Sequence, residues 1–425
     1  MKGFNLQQFI LNIQFQFKNN KKIVENYVFM TIFQVLNSFF YILIYPYLIR
    51  VLGPDNYGVY VLGVNIATYF QTFISFGFDF PALKEVSLSR DNKPEINRIF
   101  SIVFNAKIIL ALISTVFFLL LFLLLPSLGK YFLVYLICFV NIFSVIIYPQ
   151  WYFQGLQQMK IVTIVQLVFK VLSLPFIFLF VRKESDLLLF SIITVIFNLF
   201  SSLYLLYIII YKNKVKISVI DFSEILKWVK MSFPFFASNS ANTIKQQSTT
   251  TLIAIFFSTK DIALYDLALK IFQVPTMLIA NVNGAIFPKI VVNAKYNIIK
   301  KIIRYEAFIC VFIVLFLIFC GKYIISILGG ENMLSAYPLL IAISFSSFTI
   351  LMVGAIMAFV FVPKGMYKFI AYNQFIAFVG YFIFIFIGLS IFKKIVIIPL
   401  AITFSALLEI IFSCYIFYKN KSKFY

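Results

Sequence analysis

Apolar stretches of about twenty residues recur from one end of this chain to the other. At a rise of about 1.5 Å per residue, each one coiled as a helix crosses a hydrocarbon layer about 30 Å thick. Backbone N–H and C=O groups in that layer find no water, so they must bond within their own segment, and the stretches are helices rather than open sheet. Composition agrees: 62% of the 425 residues are hydrophobic and only 12% are charged, where a water-soluble domain carries about 25%. The chain is read as an all-α integral membrane protein with about twelve transmembrane helices.

Hydropathy places the spans at about 28–49, 58–78, 99–125, 131–151, 161–181, 187–211, 231–257, 262–287, 305–328, 335–362, 369–391 and 395–418. The formal net charge of +21 does not indicate a nucleic-acid partner, because the basic residues sit in short connectors and at the termini with no aromatic-basic platform. That placement orients a membrane protein and meets anionic headgroups. With twelve spans, 24 basic residues collect on the side of the two tails. The other side holds 8, namely Arg50, Lys130, Arg182, Lys183, Lys260, Lys322, Lys393 and Lys394. Both termini are therefore expected in the cytoplasm. Gln7, Gln8, Asn12 and Gln14 interrupt the first apolar run, so residues 1–27 read as an interfacial segment and not as a cleavable signal.

Several chemistries are excluded. There is no histidine, and Cys138, Cys310, Cys320 and Cys414 all lie inside apolar spans, so neither a histidine relay nor a disulfide framework is expected. No GxxxxGK[ST] loop occurs, which leaves an ion gradient, the membrane potential or the cargo's own gradient as the energy source. No cofactor, metal or catalytic residue is expected, and no connector is large enough to carry an extramembrane active site.

The two halves resemble each other. Gly53 to Ile66 aligns with Ser258 to Ile271, Phe80-Pro81 with Phe287-Pro288, and Leu128-Gly129 with Leu328-Gly329, at a nearly constant offset. The repeat implies two parallel six-helix lobes around a central cavity. The lobes are set at 28–211 and 231–418, with a basic cytoplasmic linker at 212–230 and a tail at 419–425. Polar stripes mark the helices that line such a cavity. Asn37 lies on span one, Asn65, Thr68 and Thr72 on span two, and Asn242, Lys245, Gln246 and Thr249 on span seven. Asp266, Lys270, Gln273, Asn281 and Gly284 lie on span eight. Span six carries Ser191, Thr194, Asn198 and Ser201, and such residues also bind helices to one another.

Tyr45 to Leu62 (YPYLIRVLGPDNYGVYVL), Phe76 to Asn92 (FGFDFPALKEVSLSRDN) and Tyr148 to Ile164 (YPQWYFQGLQQMKIVTI) resemble signatures of Wzx-type O-antigen and capsular polysaccharide flippases. These belong to the multidrug/oligosaccharidyl-lipid/polysaccharide exporter superfamily. The resemblance is strongest over residues 28–165 and implies a transporter, not an enzyme, in a bacterial inner membrane. Its implied cargo is an undecaprenyl-pyrophosphate-linked oligosaccharide, moved from the cytoplasmic to the periplasmic leaflet, with a polysaccharide polymerase and a chain-length regulator as partners. Two other readings stand beside it: a multidrug antiporter of the same fold, which would favour an acidic cavity, and an integral polymerase or ligase.

Charges deep within spans are costly and usually functional. Lys245 and Lys270 are expected to face the cavity and contact the pyrophosphate or an acidic sugar, with Asn242, Gln246, Gln273, Asn37 and Arg50 as further lumen candidates. Asp266 and Glu409 are the candidates for ion coupling, and a Lys245–Glu409 ion pair is the structural alternative. Lys107 and Lys170 lie close enough to cytoplasmic ends to snorkel. Trp151 and Tyr152 read as an interfacial aromatic belt. The topology has a direct test: cysteines placed at Asn213 and Ser335 are expected to react with a membrane-impermeant thiol reagent from opposite faces. Labelling of both from the periplasm alone would rule out the twelve-span arrangement.

Overall fold

The structure, a computed structural model, describes residues 21–292, 296–361 and 366–420, side chains at 21–27, 33, 38, 280–292, 296 and 367 excepted. Residues 1–20, residues 421–425 of the expected tail, and the side chains of Asn281, Phe287 and Pro288 lie outside the described residues. Ten helical stretches among those described are long and apolar enough to cross a membrane, from Val28–Ser75 to Ile397–Lys419. The described residues contain no strand.

The first helix, α1 (Lys21–Ser75), is two legs joined at Gly53. Twelve residues of straight helix would advance about 18 Å, yet the rings of Tyr45 and Tyr57 lie 5.1 Å apart. The chain therefore doubles back, and Gly53 permits it with φ 75° and ψ 160°, a conformation essentially reserved for glycine. A short α2 (Asp79–Leu88) leads to α3 (Lys93–Leu124), whose start is capped by the Asn92 side chain accepting from the Glu95 N–H at 3.3 Å. The next span is broken into α4 (Phe132–Val140), α5 (Ile142–Ile147) and α6 (Gln150–Gly155), with Tyr148 extended ahead of Pro149. Then follow α7 (Met159–Phe180) and α8 (Leu187–Tyr207).

The second half opens with α9 (Phe222–Phe256), 35 residues long but too polar to count among the ten apolar stretches. It continues through α10 (Thr259–Val292), α11 (Tyr296–Gly329) and α12 (Tyr337–Ser344), then α13 (Tyr367–Phe392) and α14 (Ile397–Lys419). In each half the third long helix runs into a six-residue 3-10 turn, Pro126–Tyr131 after α3 and Glu331–Ala336 after α11. Their starts differ by 205 positions, within the offset of the sequence repeat. Leu112, Phe117, Leu123 and Leu124 on α3, and Phe308, Phe312 and Phe319 on α11, are exposed on the outer surface. Water would not tolerate so large an apolar surface, but lipid solvates it.

The aromatic belt expected at Trp151 and Tyr152 is not what these residues form. Trp151, Tyr152 and Phe153 are no more than 2% exposed and pack with Phe100 in the interior of the first half. Two of the resembling motifs meet here. Arg90 donates from Nε to the Gly155 carbonyl at 2.8 Å, and α2 lies so close to α6 that a Cβ on Gly155 would stand 2.8 Å from Val86 Cγ1. Gly155→Val is accordingly expected to destabilise the protein by about 1–3 kcal/mol through overpacking. Gly129→Ala, whose added carbon would meet nothing within 4 Å, should leave thermal melting in detergent unchanged.

Candidate functional site

Lys107, Lys170, Lys245 and Lys270 lie well inside the described membrane helices, and each has had to find something other than water. Lys107 on α3 does not snorkel: it is 2% exposed, with its ammonium 3.3 Å from Asp79 Oδ1 and 3.4 Å from the Val145 carbonyl. Lys245 on α9 donates to Glu409 Oε1 on α14 at 2.6 Å. The second Glu409 oxygen accepts from Asn373 Nδ2 at 3.3 Å, and Asn373 Oδ1 accepts from Ser413 at 3.2 Å. The structure thus forms the Lys245–Glu409 ion pair that was the alternative to a free lumenal lysine.

Lys270 is paired with Asp266 one turn earlier on α10. Tyr57 from α1 closes the group: its hydroxyl donates to Asp266 Oδ2 at 2.9 Å and accepts from Lys270 at 2.8 Å. The rings of Tyr41, Tyr45 and Tyr57 surround the ammonium at 5.0, 5.7 and 5.4 Å, a cation–π environment that substitutes for part of its hydration.

Lys170 on α7, expected to snorkel, instead lines a cavity of about 330 Å³. The cavity lies among α1, α4, α7 and α8, wholly within the first half, with Asn37, Tyr41, Gln71, Asn141, Gln166 and Asn198 among its walls. Lys170 donates to Asn37 Oδ1 and sits 4.5 Å from the Phe40 ring and 4.3 Å from the Tyr41 ring. Asn198 donates to Asn141 Oδ1 at 2.5 Å. Of the polar-stripe residues named from sequence, Asn37, Thr68, Thr194, Asn198 and Ser201 are walls of this cavity, and Lys270 reaches its edge through Tyr41 and Tyr57. Gln246 donates to Asn242 at 3.1 Å on an exposed face of α9, where Ser238 and Asn239 are exposed too. Arg50 and Gln273 are also exposed. The residues missed were Lys170, Gln166 and Asn141. A signal existed, since Gln166 and Lys170 are four apart and share a helix face, but the snorkelling distance concealed it.

Other polar residues of the stripes bind helix to helix. Along the second leg of α1, Asp55 accepts from Thr259 at 2.9 Å and Asn65 donates to Gln247 Oε1 at 2.6 Å. Tyr69 shares a hydrogen with Thr251 at 3.1 Å, and Thr72 with Thr243 at 3.2 Å. Phe76 stacks on Phe236 at 4.3 Å. This seam joins the two halves across α9 and α10.

These features define a class: a multi-pass α-helical membrane protein with the fold of the exporter superfamily. The fold is that of "Lipid II flippase MurJ, inward closed conformation", with a TM-score of 0.68 at 16% identity over 94% of this chain and 90% of that one. It matches equally an inward-facing multidrug resistance MATE family transporter of the MOP superfamily, with a TM-score of 0.68 at 13% identity over 91% and 95%. The polysaccharide biosynthesis protein family matches residues 23–294, and the chain belongs to that family. A protein of Escherichia coli (strain K12), provisionally named O-antigen transporter, is 24% identical over 67% of this chain and 69% of its own length. One of Shigella dysenteriae with the same provisional name is 24% identical over 73% and 81%.

The Lys245–Glu409 pair should show strong coupling. Lys245→Ala alone leaves a carboxylate 5% exposed without its counter-charge, an expected cost of about 3–5 kcal/mol. Adding Glu409→Gln should recover most of the lost thermal stability. Additive losses in that double-mutant cycle would mean that the two side chains do not interact.

Proposed function

We propose that this protein is a flippase for a lipid-linked oligosaccharide, carrying it from the cytoplasmic to the outer leaflet of a bacterial inner membrane for polysaccharide assembly. One observation carries the reading: a chain of the polysaccharide biosynthesis family holds, among its membrane helices, a cavity whose wall carries a lysine and several amide side chains. The names of the two relatives, O-antigen transporter, and the fold shared with a lipid II flippase support it. A multidrug antiporter for cationic compounds fits less well, because the ionisable side chain in the cavity wall is a lysine and no carboxylate lines it.

In this reading twelve crossings form two lobes, 28–211 and 231–418, joined by 212–230, with both termini in the cytoplasm. The fold-back of α1 and the polar α9 supply the two crossings beyond the ten apolar stretches. The cargo is anchored by undecaprenyl pyrophosphate, whose charge cannot cross hydrocarbon unless fixed cations and polar groups replace its water. Lys245 and Lys270 fill that role by exchanging partners: the pyrophosphate takes the ammonium, and Glu409 or Asp266, released from it, is the group that couples transport to an ion gradient. Asn242, Gln246 and Gln273 offer hydrogen bonds along the route, and Arg50 meets the headgroup at its exit. The seam along α1 must part for the cargo to leave. A polymerase and a chain-length regulator then act on the delivered unit.

The exchange makes transport dependent on an electrochemical ion gradient and on Lys245. In proteoliposomes, collapsing the pH gradient and the potential together should stop net flipping. Lys245→Glu should abolish export, while Lys245→Arg should keep part of it. Flipping that continues unchanged without either gradient would remove the coupling. Full export from a Lys245→Glu/Glu409→Lys protein would reduce the lysine to a structural part.

A further inference from the structure

We propose that the cavity inside the first half is a subsite for a carboxylated sugar, with Lys170 as the cation that receives its carboxylate. The proposal rests on the flippase reading for its cargo, and on the cavity itself for everything else.

Charge accounting comes first. Lys107, Lys245 and Lys270 each hold a carboxylate, from Asp79, Glu409 and Asp266 respectively. Among the described residues no carboxylate reaches Lys170. Its ammonium has a neutral amide oxygen, that of Asn37, and the faces of Phe40 and Tyr41. A second ammonium, Lys270, lies 5.0 Å from the centroid of the same Tyr41 ring that Lys170 approaches to 4.3 Å. Two like charges share one ring in a region of low dielectric, and only one of them has a counter-ion. An uncompensated cation in such a place is costly, and an arriving anion relieves both the missing partner and the repulsion. The Asn37 oxygen stands where a ligand's carboxylate oxygen would stand, and a charged acceptor makes the stronger bond.

The lining then says what the anion is attached to. Gln71, Asn141, Gln166 and Asn198 present amides, which donate and accept side by side and so match neighbouring hydroxyls of a sugar ring. Phe169, Phe190 and Phe197 in the wall offer apolar surface for the C–H side of such a ring. At about 330 Å³ the cavity falls at the lower end of small-molecule sites, about 300–1,000 Å³, which suits one sugar rather than a chain. One unmatched cation complements one negative charge. That favours a carboxylate over a pyrophosphate, for which a single lysine is too little.

The test uses the full-length protein in lipid nanodiscs and saturation-transfer NMR with free glucuronate, glucose and inorganic pyrophosphate as probes. It measures binding without any lipid-linked cargo or transport, so a protein that fails to flip can still be scored for binding. The wild type should bind glucuronate in preference to glucose. Lys170→Gln should weaken glucuronate about tenfold, the equivalent of one charged hydrogen bond. Asn37→Asp should weaken it to a similar degree, since it keeps the lysine but gives it a resident carboxylate. Equal binding of glucuronate and glucose by the wild type overturns the proposal whether or not either variant folds. So does the absence of any glucuronate signal, or glucuronate binding that neither variant alters. Pyrophosphate bound through Lys170 more tightly than glucuronate would assign the site to the lipid headgroup instead.

Discussion

An ammonium inside hydrocarbon keeps its charge only if protein atoms do the work of water, and much of the bundle is arranged around that requirement. Lys107 ties α3 to the start of α2 through Asp79, and Lys245 ties α9 to α14 through Glu409. Tyr57 bonds to both members of the Asp266–Lys270 pair, so the first half is fixed to the second by the same group that satisfies the lysine. In water such pairs would be worth little. Here the alternative is an unpaired charge, and the pairs decide which helices are neighbours.

Polar residues of one chemical kind serve two ends in this structure. Asn65, Thr72, Thr243, Gln247 and Thr251 close a seam between the halves, where lipid gives helices no hydrophobic reason to associate. Asn37, Asn141, Gln166 and Asn198 are of similar composition and line a cavity instead. Both groups bond from helix to helix: α1 to α9 in the seam, and α7 to α1 through Lys170 and Asn37 in the cavity. The cavity group differs in that its side chains also border open space.

The motifs that resemble the polysaccharide flippases earn their form through packing. The Arg90 bond to the Gly155 carbonyl and the approach of Val86 to that glycine hold α2 against α6. Trp151, Tyr152 and Phe153 fill the interior behind them. Gly53 turns the first span back on itself, in a backbone conformation that a side chain would oppose. These residues build the scaffold, and the family to which the chain belongs connects that scaffold to polysaccharide biosynthesis.

Membrane class and helical content were legible in the residues because they depend on local properties: length, apolarity and the demand that each segment bond its own backbone. The deep charges were legible too, as residues in the wrong solvent. Their partners were not. Lys245 and Glu409 are 164 positions apart, and Tyr57 and Asp266 are 209 apart. Hydropathy also misjudged Lys170, because distance along a helix from its end sets how far a lysine can reach but not what surrounds it. Whether that reach ends in headgroups or in a cavity is decided by how α1, α4, α7 and α8 stand around it. The sequence alone determined that these charges would need partners; only the packing of helices from both halves decided which would find a carboxylate and which would wait for one.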